Sequence, residues 1–146
     1  MGERAGRALA VVAGLWAGVL LAIALIGAPA GFAVLAERAE AGRVAGHMFV
    51  REAYLSLALA VVLFILERGR ARRAAEAGQG SVLNAEMLLL AGVLFCTVAG
   101  YFALRPMMAA ARAGQGSLSF GALHAISTVF YGLKTLLVLV LAWRLI

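Results

Sequence analysis

The sequence predicts an all-α integral membrane protein, a four-helix bundle forming a single transmembrane domain over residues 1–146. Three observations carry this. Hydrophobic residues make up 64% of the chain and charged residues 14%, where a soluble domain carries about 25% charge. Four apolar stretches each approach the roughly 20 helical residues that cross a bilayer core. The arginines fall in the gaps between those stretches, as in loops that flank membrane spans. So much apolar surface cannot be hidden in a globule of 146 residues, and lipid is its natural solvent.

The first stretch runs from about Ala8 to Gly27, with Arg4 and Arg7 before it and Ala28-Pro29-Ala30 after it. That layout resembles a signal peptide with a small-residue cleavage site. An h-region, however, is about 7–15 residues long, and this stretch is longer, so it is expected to stay as a helix. Sequencing the mature N-terminus checks this, and a start at Gly31 would remove one span. The second stretch covers about Phe49 to Leu66, the third about Asn84 to Leu104 and the fourth about Gly121 to Trp143.

Orientation follows from the arginines. Arg4, Arg7, Arg68, Arg70, Arg72, Arg73 and Arg144 place seven on the side of both termini, against five, Arg38, Arg43, Arg51, Arg105 and Arg112, on the other. The positive-inside rule then puts both termini in the cytoplasm of a bacterial inner membrane. The net charge of +6 is explained by this topology and does not call for nucleic acid, because the cations form no stripe on a soluble face. The expected surroundings are the lipid bilayer and a homo-oligomer or membrane-protein partner. The lone Cys96 excludes an intramolecular disulfide and reads as a small packing residue.

Ala-Gly-Gln-Gly-Ser occurs at Ala77–Ser81 and again at Ala113–Ser117. Gly78 and Gly114 are expected to end helices, and Ser81 and Ser117 or Ser119 to cap the next ones. Within span one, Gly14 and Gly18 have the small-xxx-small spacing that lets two helix backbones approach closely. This suits a contact inside the bundle or a homodimer face.

Span four has a sidedness. On a helical wheel His124, Ser127, Thr128, Tyr131, Lys134 and Thr135 share one arc, opposite Ile126, Val129, Leu133, Leu136, Leu137 and Val140. The polar arc should face the bundle and the apolar face lipid.

Leu15-Trp16-Ala17-Gly18, Ala28-Pro29 with Phe32, Ala41-Gly42-Arg43 and Phe49 follow one another in order. They are succeeded by Arg105-Pro106-Met107 and by His124, Ser127 and Tyr131. This succession resembles the bacterial membrane family called domain of unknown function 4149, which is related to eukaryotic transmembrane protein 205. The resemblance implies a four-span bundle and no established activity. A more distant likeness runs to small membrane proteins linked to copper resistance and to a haem-pathway oxidase, whose span-one histidine this chain lacks.

Three sets of residues are candidates for chemistry. Lys134, close to mid-span, carries a cost of about 2.5–3.5 kcal/mol on insertion scales, so it must be compensated or used. It could serve a proton relay, an anion site or a substrate contact, with Tyr131, Ser127 and His124 lining the way. Alternatively it is structural, bonded to Tyr131, Thr97 or Tyr101, or snorkelling. Its best acidic partner in the sequence is Glu86, about 12 Å from the midplane at 1.5 Å per residue, which makes direct pairing a stretch. His47, Met48, Met107, Met108 and His124 lie towards one membrane face and are ligand types suited to Cu(I). Their ordinary alternative is interfacial histidine and gap-filling methionine. Glu52 and Ser56 are one turn apart, with Glu52 expected to pair with Arg105 or Arg51 and anchor the helix end.

No nucleophile–base pair or phosphate cradle is visible, and Gly-Gln-Gly-Ser lacks the P-loop lysine. An enzyme is therefore the less favoured reading, and no cofactor is expected outright. An accessory or scaffold protein is favoured. Small transport or copper-type metal handling along the polar face of span four is the alternative, and a haem-linked redox enzyme the third.

Overall fold

In the computed structural model residues 3–146 are described, with no strand among them. The side chain of Arg4, counted above for orientation, lies outside what is described. Helix α1 (Glu3–Ala22) passes through a π turn (Ile23–Gly27) into α2 (Ala28–Val34). Helix α3 (Arg38–Glu76) returns across the bundle. Helix α4 (Ala85–Thr97) passes through a second π segment (Val98–Ala103) into α5 (Leu104–Arg112), and α6 (Phe120–Leu145) makes the last crossing. Four helical runs, Gly6–Val34, Arg38–Glu76, Ala85–Arg112 and Phe120–Leu145, are long and apolar enough to span a membrane. The chain is a multi-pass membrane protein, and an even number of crossings puts both termini at one end.

The helices overrun the apolar stretches that predict them. Pro29 does not stop the first helix: it follows directly on the π turn, where the regular ladder is already interrupted and can take up a missing N–H. Helix α3 has 39 residues, about 58 Å at 1.5 Å per residue and nearly twice a hydrocarbon core of about 30 Å. It therefore projects beyond the apolar depth at both ends.

Both copies of the pentapeptide end a helix in the same way. Gly78 and Gly114 adopt φ of 71° and 73°, which a Cβ would penalise. In each copy a crossed pair of bonds closes the end: Gly78 N–H to Ala75 C=O with Gln79 N–H to Ala74 C=O, and Gly114 N–H to Ala111 C=O with Gln115 N–H to Ala110 C=O. Ser119 caps α6 as expected, accepting from Ala122 N–H at 3.1 Å. Ser81 does not cap α4. Asn84 does, accepting from Met87 N–H at 2.9 Å, while the Ser81 hydroxyl accepts from Leu83 N–H inside the connection.

Helix α6 packs on α1 and α4, and α3 packs on α4 and α2. The core is shared by Leu9, Ala13, Trp16 and Leu20 of α1, Ala60 and Leu63 of α3, Leu90 and Val93 of α4, and Val138 and Leu141 of α6. The inward face of α3 is built from small residues, Ala41, Ala45, Ala53, Ser56 and Ala60, while Val61, Val62 and Ile65 face out. This suits lipid solvent, where apolar side chains gain nothing from leaving the surface and close backbone packing holds helices together.

Gly14 and Gly18 do not serve that packing. Both are exposed on the outer face of α1, and a Cβ on either meets nothing within 4 Å. The expectation of a contact inside the bundle is corrected, because Trp16 and Leu20 take the inward face. Close approach occurs instead at Gly92 and Gly100, facing Leu137 and Phe130 of α6. Gly14→Ala and Gly18→Ala are expected to leave the unfolding midpoint in detergent unchanged or raise it slightly, since each gains up to about 1 kcal/mol of helix propensity with no clash. A marked fall would show that the single-chain bundle omits a contact these glycines make.

Candidate functional site

Lys134 is the centre of the only charged group buried in the middle of the bundle among the described residues. Lys134 is 2% exposed, and its Nζ donates to both oxygens of Glu52, at 2.7 and 2.9 Å. Glu52 is 3% exposed. Ser56, one turn along α3, donates its hydroxyl to Glu52 Oε1, and Trp16 Nε1–H of α1 donates to Ser56 Oγ at 2.9 Å. One chain of hydrogen bonds thus joins α1, α3 and α6 through the core. Every buried side-chain nitrogen and oxygen among the described residues has a partner, the condition for a polar core in low dielectric.

The expected partnerships are corrected here. Glu52 pairs with neither Arg51 nor Arg105; the small-residue face of α3 turns it into the core, where Lys134 meets it. Glu86 is not part of this site. It accepts from Arg144 Nε at 2.8 Å, at the end of the bundle that carries the termini. There Glu67 accepts from Arg70 and from Asn84, so Asn84 caps α4 and ties it to α3 at once.

Around Lys134 the polar arc of α6 divides. Tyr131 and Ser127 turn inwards, though neither bonds to Lys134. The Tyr131 hydroxyl donates to Leu20 C=O at 2.9 Å, its ring lies 4.8 Å from Lys134 Nζ, and Phe49 packs edge-on to it. Ser127 donates to Gly100 C=O at 2.8 Å, inside the second π segment. Two α6 side chains therefore hold backbone carbonyls in or just before the π segments, where the regular helical ladder is interrupted. Thr135 is buried and returns its hydroxyl to Tyr131 C=O. Thr97 does the same to Val93 C=O, and Tyr101 packs edge-on against Phe102, so neither bonds to Lys134. His124 and Thr128 are exposed, contrary to the inward placement expected of the whole arc. Thr128 bonds back to His124 C=O, and the His124 ring stacks on Phe120. Of the opposite face, Ile126, Val129, Leu133, Leu136 and Val140 are exposed as expected, whereas Leu137 turns towards Gly92.

The five candidate Cu(I) ligands come from α3, α5 and α6. His47, His124 and Met107 are exposed, and the Met48 thioether packs beside Gly27, 3.1 Å from where a Cβ would stand. Met108 is half-buried on α5. Among the described residues no group of three or more His, Cys, Asp or Glu side chains is placed to hold a metal.

Sequence reasoning had Lys134 and Tyr131 and missed Glu52, Ser56 and Trp16 as their setting. A signal was present. Glu52 and Ser56 fall in register with Ala45, Ala53 and Ala60, and in a membrane helix the small-residue face is the buried one.

No curated protein and no solved structure matches this chain. A family model does match, over residues 11–117, from the middle of α1 to the connection before α6, which covers well over half of the 146 residues. The chain therefore belongs to the family described as Domain of unknown function (DUF4149).

Proposed function

We propose that this protein is an accessory or scaffold subunit of a bacterial inner membrane, with both termini cytoplasmic and no chemistry of its own. The relation to eukaryotic transmembrane protein 205 is part of this proposal and rests on the order of motifs along the chain. One observation carries the functional reading: the Trp16–Ser56–Glu52–Lys134 chain is closed. Both carboxylate oxygens of Glu52 accept from Lys134, and Ser56 donates its hydroxyl to Glu52 while accepting from Trp16. A transport pathway needs polar groups with spare capacity for a passing ion. A buried pair whose nitrogen and oxygen atoms all have protein partners suits a key that fixes which helices meet, in which register.

The same pair motivates the transport reading, because ionisable groups inside a membrane mark many ion routes. Sealed vesicles containing the purified protein and a lumenal reporter of pH or Cu(I) separate the two. The expected result is permeability equal to that of protein-free vesicles. A proton or Cu(I) flux that Glu52→Gln or Lys134→Met abolishes would overturn the scaffold reading and establish transport.

A further inference from the structure

At the end that carries the termini, α3 continues past its apolar residues as a basic helix. Arg68 and Arg72 stand one turn apart on one face, both exposed. Arg72 is held by Glu76 at 3.1 Å, while Arg68 has no hydrogen-bond, ion-pair or ring partner among the described residues. The two line an open cleft of about 410 Å³ with Ala75, Glu76 and Val82. A neighbouring cleft at the same end is lined by Glu67, Arg70, Glu86 and Arg144, and there each cation already faces a carboxylate. Only the first cleft keeps a cation in reserve. Two arginines and one glutamate leave it a net charge of one positive unit.

Its apolar surroundings are equally specific. Val82 and Leu83, in the short connection to α4, are both exposed despite lying outside any helix. At positions i−3 and i−7 from Arg68, Ile65 and Val61 continue the same face of α3 down into the apolar depth, also exposed. At 1.5 Å per residue Ile65 is about 4.5 Å below Arg68 and Arg72 about 6 Å above it, so this face passes from acyl chains to headgroups within two turns. A cationic cleft above an apolar track fits an amphiphile with an anionic head.

We infer that the Arg68–Arg72 cleft binds the headgroup of an anionic phospholipid, whose acyl chain lies along Ile65 and Val61 and whose glycerol region is flanked by Val82. Arg68 supplies the unpaired charge for the phosphate oxygens, and Arg72 shares its guanidinium between the phosphate and Glu76. Guanidinium suits this role because its forked N–H groups match phosphate oxygens. The site does not depend on whether the bundle transports anything.

The test titrates the full-length protein in mild detergent with phosphatidylglycerol or phosphatidylcholine and counts bound lipid by native mass spectrometry. The parent protein is expected to prefer phosphatidylglycerol. Arg68→Gln/Arg72→Gln should weaken that binding by about ten-fold or more, the scale of two arginines lost from a charged membrane surface. Arg68→Gln alone should show part of the loss. Arg38→Gln/Arg43→Gln, an equal loss of charge at the opposite end, should stay within about two-fold if binding is local rather than a matter of net charge. Inorganic phosphate should not displace the lipid. Equal binding of phosphatidylcholine, an equal loss in the Arg38/Arg43 variant, retention by the Arg68/Arg72 variant, or displacement by phosphate would each overturn the proposal.

Discussion

Lys134→Met is expected to lower the stability of the bundle by about 3–5 kcal/mol, the largest effect of any single substitution in the core. The reason lies less in the strength of the ion pair than in what remains without it. Glu52 keeps only the Ser56 hydroxyl as donor and, at 3% exposure in the parent, is left as a buried carboxylate without a cation. Glu52→Leu should cost a similar amount by stranding the ammonium. The double variant Glu52→Leu/Lys134→Met is expected to recover most of the loss, because it removes both desolvation penalties and leaves an apolar core of similar volume. Ser56 can then turn its hydroxyl to the carbonyl one turn back on α3 while still accepting from Trp16. Thermal unfolding of the four proteins in one detergent gives the cycle. A Lys134→Met protein as stable as the parent would end the structural role assigned to the pair. A double variant no better than the singles would show that the charges specify the fold and that shape alone does not.

How much of this was legible in the sequence depends on whether a feature is local. Helix ends are local, and the two Gly-Gln-Gly-Ser turns follow directly from glycine at positive φ. The polar stripe of α6 is local to one helix, so its inward centre at Lys134 could be read from spacing. Its outer end could not. His124 and Thr128 lie near the end of the bundle, where a helix has fewer neighbours, and the same angular sector that is buried at Lys134 is open there. Partner choice is not local at all. Glu52 and Lys134 are 82 residues apart, and their meeting depends on the tilt and register of α3 against α6. Glu86 looked closer only because it was judged by depth along its own helix. The apolar stretch also understated α3, since its helix continues through charged residues at both ends and the hydropathy boundary is not the helix boundary. Gly14 and Gly18 show the converse error. Spacing identifies a face that allows close approach, and Gly92, Cys96 and Gly100 have the same four-residue spacing; spacing alone does not say which such face meets a neighbour, and here it is the one with Gly100.

That approach makes Gly100→Ala the second large effect. An added Cβ would overlap Phe130 Cβ and come within 2.9 Å of its Cγ. The obstacle is the root of the side chain, attached to the α6 backbone, so no rotamer change of Phe130 clears it. The second π segment and α6 must separate, which also strains the bond from Ser127 to Gly100 C=O and the edge contact of Phe130 with Phe95. Overpacking of this kind costs about 1–3 kcal/mol, and the gain of up to about 1 kcal/mol in helix propensity offsets only part of it. Gly92→Ala is the matched control. Its Cβ would meet Leu137 Cδ1 at 3.0 Å, the far end of a flexible side chain that can rotate away, so a small change of either sign is expected. Phe130→Ala, which shortens the ring but keeps the Cβ, should not rescue Gly100→Ala, and a double-mutant cycle in detergent would find little coupling between them. Full rescue by Phe130→Ala would mean that the ring, not the backbone spacing, sets the distance between the second π segment and α6. Equal losses at Gly92 and Gly100 would mean that the two helices are no closer at one glycine than at the other.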